Sequence, residues 1–457
     1  MADSINNKAK EYYDNDDTGG SLNNNLKDFL KQQGAEGNSL NTLWRNYAYG
    51  EGGNSLNTRL GKLWGTSGSL ISRWKDVLGL TWDELKLFFN ARRNDPELLL
   101  SGATSFDGND YISIADSDSL SFGDSSNDSA FSISSWIKAD STSASGVLGK
   151  NSSNNAGEYY VNIASNVLFF RLIDDSTNGA IGVSFSYSSK EWNHLSFTYD
   201  GSGAIGGMKI YLNGVAQSTS SASFGSYTAM ENTSNSFIVG RRGTHTDYFD
   251  GSIANVGIWN RALSASEIES IYWKGQYADL KNTELTNLVS WYNLKDTVLG
   301  SNLVTNGDFA SDSDWTKVNN VTIANGIATM SGDSGTADLK QTNPIPADKR
   351  SQIQFTILSS DVSSNTGLQL MSTYGADVSQ DDDGNYIKDV GTHTITGTSS
   401  SADQLFFRLT SGAGTITLDD VSVKEVLAKD STETNNGSIY GATTLTDAYS
   451  ASSPFLP

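Results

Sequence analysis

From Ser101 to Trp273 apolar and polar positions alternate repeatedly with a period of two, the pattern of strands that bury one face. Ile181, Val183, Phe185 and Tyr187 alternate in this way, as do Met208, Ile210 and Leu212 ahead of an Asn213-Gly214 hairpin signal. Ala254, Val256 and Ile258 alternate with Asn255, Gly257 and Trp259, which predicts a half-buried strand. The period then changes. Ser264 and Glu267 form a capping box, Leu263 and Ile268 take the staple positions, and Ile268, Ile271 and Tyr272 share one face of a short helix. Alternation returns further on, at Ile353, Phe355 and Ile357 and at Leu405, Phe407 and Leu409.

Before residue 100 the spacing is helical. Leu22, Leu26, Phe29 and Leu30 recur at helical intervals, then Leu40, Leu43, Trp44 and Tyr47. Four units start Gly-(Asn)-Ser-Leu, with Ser21, Ser39, Ser55 and Ser69 as N-caps after a glycine stop. Each predicted helix is too short to stand alone and must pack on a neighbour or a partner. Leu22, Leu40, Trp44, Leu56, Trp64, Leu70 and Trp74 are the apolar residues expected to make that contact. A fifth helix starts at Thr81, and Asn94-Asp95-Pro96 marks a boundary.

Several ordered segments carry resemblances. SFDGNDYISI (Ser105–Ile114), FSISSWIKAD (Phe131–Asp140), WNHLSFTYDG (Trp192–Gly201), MKIYLNGV (Met208–Val215) and FDGSIANVGIWNRALSASEI (Phe249–Ile268) together resemble laminin-G-like domains of the concanavalin A-like lectin/glucanase class. NLVTNGDF (Asn302–Phe309) and ITLDDVSVKEV (Ile416–Val426) resemble the two ends of jelly-roll carbohydrate-binding modules. The G-S-L-N repeats resemble those near the N-termini of structural proteins of marine bacteriophages. The expected fold class is mainly β: a concanavalin A-like sandwich and a jelly-roll sandwich behind a small all-α repeat region. The expected divisions are an anchor over 1–97, the first sandwich over 101–275, a connector over 276–301, the jelly roll over 302–427 and a C-terminal tail over 428–457. TNLVSWYNLKD (Thr286–Asp296) resembles a segment that often follows laminin-G-like domains, yet its usual continuation, DSTETNNGSIYGAT, comes only at Asp430–Thr443. That separation predicts that the jelly roll is inserted, with its two ends close together.

Composition and charge narrow the function. The chain has 457 residues, no cysteine, 31 Lys+Arg and 52 Asp+Glu, a net charge of −21. Residues 1–100 hold 12 basic and 13 acidic side chains, leaving 19 and 39 for the remainder. So acidic a surface argues against nucleic acid as a partner and favours solubility and divalent cations. The N-terminus lacks the apolar core of a signal peptide and no run of about 18 apolar residues exists, so neither export nor a membrane span is expected.

No paired-acid, nucleophile-elbow, zinc or phosphate-loop motif is present, so no enzyme is expected. The laminin-G-like resemblance implies calcium ligands at Asp107, Asp110 and Asp250, and the jelly-roll resemblance implies them at Asp308 and Asp420; the competing reading is Asx-turn residues capping tight loops. Glycan recognition needs exposed rings beside polar groups. Arg241, Arg242, His245 and Tyr248 in one loop offer this, as do Trp315, Tyr374 and Tyr386 in the jelly roll, with Tyr159, Tyr160 and Tyr227 as further candidates. Trp136, Trp192 and Trp259 are assigned to packing. The resulting expectation is a non-enzymatic component of a phage virion surface: head decoration, head fibre or tail appendage. Its N-terminal helices would dock on other virion proteins, its β modules would face cell-surface glycans, and homo-oligomers are compatible with it. A free bacterial glycan-binding accessory protein is the alternative, and a glycoside hydrolase a more distant one.

Overall fold

A computed structural model describes residues 102–153, 156–243, 246–274, 280, 282–362, 367–370, 387–398, 403–441 and 443–445, all within one compact unit. The repeat region and all its contact residues lie outside the described residues, as do His245, Tyr374 and Tyr386.

The first sandwich begins with β1 (Ala103–Asp107), β2 (Tyr111–Ile114), β3 (Phe131–Ala139), β4 (Ala144–Ser153), β5 (Ala156–Ala164), β6 (Val167–Asp174) and β7 (Gly179–Ser186). It continues through β8 (Asn193–Tyr199), β9 (Met208–Leu212), β10 (Val215–Ala216), β11 (Ser220–Phe224), β12 (Phe237–Val239) and β13 (Asp250–Trp259). Helices α1 (Ala265–Lys274) and α2 (Asn282–Leu285) follow, then β14 (Leu288–Tyr292). One sheet runs β10-β9-β8-β3-β13-β1, and β14 extends the β13 edge beyond β1. The facing sheet runs β11-β7-β6-β5-β4-β12-β2. Alternation explains the core between them: Phe131, Ile133, Ile137, Tyr159, Val161, Leu168, Phe170, Phe197 and Ile258 are fully buried.

β13 is not half-buried, as its alternation suggests, but buried on both faces over most of its length. Trp259, Leu263, Ile268, Ile271 and Trp291 form a second apolar layer on its far side. The capping box that starts α1 is formed: Glu267 N–H donates to Ser264 Oγ at 3.3 Å, and Ser264 N–H donates to a Glu267 carboxylate oxygen at 2.9 Å. Arg261 makes a two-point contact with the same carboxylate at 2.8 and 3.0 Å, and these partners hold the Glu267 carboxyl down at about 2.

The second sandwich comprises β15 (Thr297–Asn302), β16 (Thr316–Val318), β17 (Val321–Ala324), β18 (Ile327–Ser331), β19 (Ala337–Ile345) and β20 (Arg350–Ser360). Then come β21 (Leu368–Leu370), β22 (Gly391–Thr398), β23 (Asp403–Leu409) and β24 (Thr415–Ala428). A four-stranded sheet, β16-β19-β23-β21, packs over a sheet built around β24, which pairs with β18 and β15 along one edge and β20 along the other. Phe309, Trp315, Leu339, Phe355, Phe407 and Leu418 belong to its separate core.

The ends of this second sandwich lie side by side. Thr297 pairs with Ala428 and Leu299 with Val426, and Lys429 N–H donates to Asp296 C=O at 3.0 Å. The chain then returns to the first sandwich as β25 (Gly437–Tyr440), paired with β2, and β26 (Thr443–Leu445), paired with β1. Two divisions drawn from sequence therefore need correction. Residues 276–301 are not merely a connector, because β14 extends a sheet, and the described residues beyond 428 are not a tail, because they complete both sheets. The buried Asp430 explains the attachment: its carboxylate accepts N–H groups from Trp291, Thr432 and Asn435 at 2.9–3.1 Å. Because β24 also pairs with β25, one sheet runs without a break from the first sandwich into the second.

Candidate functional site: an arginine–aromatic ridge

The side chains of the β2–β12–β4–β5–β6 sheet that point away from the core gather into a ridge. In β2, Ile112 and Ile114 enter the core, so Tyr111 faces outward; Tyr440 is placed likewise by Ile439, and Tyr160 by Tyr159 and Val161. Tyr111 and Tyr440 are direct cross-strand partners, and their rings stack at 4.4 Å and 5°. The Arg241 guanidinium lies 3.8 Å above the Tyr111 ring and 5.4 Å from that of Tyr248. Its Nη1 donates to Tyr248 Oη at 3.3 Å. Burial raises the Tyr111 phenol and the Arg241 charge partly offsets it.

The ridge continues in both directions. Arg242 reaches over Tyr160 at 5.5 Å and is paired with Asp247. Arg171, the cross-strand partner of Tyr160, donates to its hydroxyl at 3.0 Å and lies 5.1 Å from the Phe169 ring. On the other side Lys349, from the second sandwich, lies 5.7 Å from the Tyr440 ring and bridges to Glu425 and Ser438. From β6 to β25 there are five strand spacings, about 24 Å.

Glycine makes the loop's approach possible. A Cβ on Gly146 would stand 2.1 Å from Arg242 N, and one on Gly240 would stand 2.4 Å from the Phe106 ring. Gly240 also has φ +87°, a region side chains other than glycine rarely adopt.

The structure thus brings Arg241, Arg242 and Tyr248 together and adds Tyr111, Tyr160, Arg171 and Tyr440. Of these, Tyr160 is also a candidate from sequence, but it is fully buried, with Arg171 and Arg242 against its ring, and offers no exposed platform. Tyr111 and Tyr440 are far apart in sequence and nothing in their local pattern joins them. Trp315 is not an exposed platform. It is 7% exposed, packs at a tilt against Phe309 with ring centroids 5.3 Å apart and donates its indole N–H to Asn306 C=O at 2.9 Å. Tyr159 lies in the core with its hydroxyl on Leu120 C=O, and Tyr227 donates to Asp128.

The carboxylates expected to bind calcium fall in two places, one in each sandwich. Asp110 accepts from Asp107 N–H at 3.2 Å, closing its own turn, and Asp250 stands opposite Asp107 across the β1–β13 pair. Asp308 and Asp420 both line an open cleft of about 370 Å³ where the start of the second sandwich meets β24. Among the described residues no three His, Cys, Asp or Glu side chains are grouped so as to hold a metal ion.

Two buried polar clusters serve packing. Lys150, fully buried, contacts Glu158 at 2.5 Å, Asp116 at 2.9 Å and Thr233 C=O at 2.6 Å. Burial raises the Glu158 carboxyl while Lys150 opposes the shift. His194 meets Ser134 Oγ through Nε2 at 2.7 Å, stacks near Trp136 and Tyr272, and is lowered to about 3 by burial.

Residues 106–269 match the family model of the concanavalin A-like lectin/glucanases superfamily, and the sandwich around them has that fold. Among solved structures, the native heptameric SAP-like pentraxin from Limulus polyphemus is 16% identical, with 37% of this chain and 84% of that one covered at a TM-score of 0.23. The botulinum neurotoxin serotype G binding domain is 13% identical, with 72% and 82% covered at 0.30. The IT-sialidase CBM40 of Ruminococcus gnavus is 14% identical, with 37% and 96% covered at 0.29. At such scores these likenesses carry no functional inference. No curated protein matches the chain. No helix among the described residues is long and apolar enough to cross a membrane.

Proposed function

We propose that this is a non-enzymatic glycan-binding display protein whose contact surface is the arginine–aromatic ridge. The observation that carries the proposal is the half-buried cluster around Arg241, in which Tyr111 stacks on Tyr440 and Tyr248 lies tilted beside Tyr111. Ring faces offer flat apolar surface to the C–H face of a sugar, and the guanidinium and phenol groups offer donors to its hydroxyls. Tyr111 and Tyr440 lie on paired neighbouring strands, so the platform has the regular spacing of a sheet. A glycan array probed with the full-length protein tests this: binding is expected, and Tyr111→Ala with Tyr440→Ala should weaken it by tenfold or more, about 1.4 kcal/mol. Array binding unaffected by that double change would remove the ridge from consideration.

We further propose that the protein is displayed on a phage particle, attached to other virion proteins through the N-terminal repeats, as head decoration, head fibre or tail appendage. The support for this is the resemblance of the G-S-L-N repeats. Purified particles analysed by mass spectrometry should contain the chain, and deletion of residues 1–97 should remove it from them while leaving glycan binding intact. A protein found only outside particles would instead be the free glycan-binding accessory protein.

A further inference from the structure

The ridge is cationic on a chain that is otherwise strongly acidic, and the pairing of its charges is incomplete. Asp247 answers Arg242 and Glu425 answers Lys349. Arg241 and Arg171 have no carboxylate partner among the described residues. Each guanidinium has five N–H donors, and among the described residues only phenol oxygens face them, those of Tyr248 and Tyr111 for Arg241 and that of Tyr160 for Arg171. The Nε of Arg241 is buried and has no protein acceptor among the described residues. Stacking on Tyr111 covers one face of Arg241 and holds its plane in place, which prepares the remaining N–H edge for a planar or tetrahedral oxyanion. With a net charge of −21 on the whole chain, unneutralised arginines beside half-buried rings form a local exception that a neutral ligand would not require.

We propose that the ligand of this ridge is an acidic saccharide, one bearing a carboxylate or sulfate on the sugar ring. The ring would lie on the Tyr111–Tyr440 stack and its oxyanion against Arg241, with Arg171 available to a second anionic unit further along a charged polymer. This rests on the glycan-binding reading above. A single-stranded nucleic acid also combines stacking with phosphate contacts. The acidic remainder of the chain disfavours that polyanion, whose charges are denser and cannot avoid the surrounding carboxylates.

The experiment is calorimetric titration of the full-length protein with matched oligosaccharides differing only at C6: β-1,4-mannose hexamer against β-1,4-mannuronate hexamer, and cellohexaose against its C6-oxidised uronate. A uronate should bind at least about tenfold more tightly than its neutral counterpart at low salt, with the preference shrinking as salt rises. Arg241→Gln should abolish the preference, lowering the affinity for the uronate by at least about tenfold more than that for the neutral hexamer. Lys317→Gln, a change of equal charge elsewhere, should leave the preference intact, and unchanged circular dichroism would show that both variants fold. Equal binding of both members of each pair, or preference for the neutral member, overturns the acidic-ligand proposal and leaves glycan binding standing. No binding of any hexamer overturns both. Competition by inorganic sulfate as strong as by the uronate would reduce the site to an adventitious anion site, and equal affinity for an oligothymidylate would replace the saccharide with a nucleic acid.

Discussion

At the scale of single residues, Asp110 and His194 pull stability in opposite directions with pH. Burial is the main cause lifting the Asp110 carboxyl from 3.8 to about 6; the like charge of Asp107 adds to it, and the Asp107 N–H bond opposes it. Its contribution to stability is complete below pH 3.8 and is lost as pH rises through about 6. His194 behaves in the reverse sense: its contribution is complete above 6.5 and is lost as pH falls toward 3. Asp110→Asn keeps an acceptor for Asp107 N–H but removes the titration, so its stability should rise more steeply between pH 4 and 6.5 than that of the wild type. Urea unfolding at four pH values in that interval checks this, and parallel profiles would refute it. Lys150→Met should cost about 3–5 kcal/mol, because it leaves Glu158 buried without its cation, whereas Lys150→Met with Glu158→Leu should cost less. The same scale shows why site residues were only partly legible. Arg241, Arg242 and Tyr248 are neighbours in sequence and could be found as a loop. Tyr111 and Tyr440 become neighbours only through a strand pairing that no local pattern announces. Trp315 misled because the carbonyl that satisfies its indole N–H is a main-chain group invisible to side-chain reading.

At the scale of elements, the sequence pattern carries local chemistry but not tertiary cover. Ser264 and Glu267 predict the α1 cap, and both reciprocal bonds are formed. Arg261 raises the importance of Glu267 beyond a simple cap, since one carboxylate closes the helix start and receives the guanidinium. Glu267→Ala should therefore destabilise the protein by about 1–2 kcal/mol, and Arg261→Ala in that background should cost less than in the wild type but still something, because the guanidinium also donates to Thr283 and Thr286 C=O at 2.8 and 2.9 Å; a double-mutant cycle by thermal melting measures the coupling. β13 shows the limit of periodicity. Its alternation signals one buried face, but α1 and Trp291 bury the other. Gly257 has little room there: a Cβ would stand 2.6 Å from both the Trp259 and Trp291 rings. A two-period pattern identifies the strand without showing what lies on each side of it.

At the scale of the whole molecule, the segment that matches a family is not the segment that completes a fold. The match covers 106–269, yet Tyr292, Leu294, Val426, Ala428 and Ile439 all belong to the first core. β25 pairs with β2 and β26 with β1, so both sheets need strands that follow the second sandwich in sequence. Residues 102–275 expressed alone should thus lack a cooperative transition, having lost five core side chains and the Asp430 latch on β14. A second chain should recover it: residues 102–299 joined through Asn-Gly to 426–445. The join is geometrically mild, because Leu299 and Val426 are already antiparallel partners and a two-residue loop suits such a pair. Near-UV circular dichroism and urea unfolding decide between them. Sharp unfolding of the rejoined chain alone would show that the second sandwich is an insertion the first can do without. Sharp unfolding of 102–275 would show that the late strands only decorate a sandwich already complete, and failure of both would mean that the sheet shared through β24 and β25 makes the two sandwiches a single folding unit.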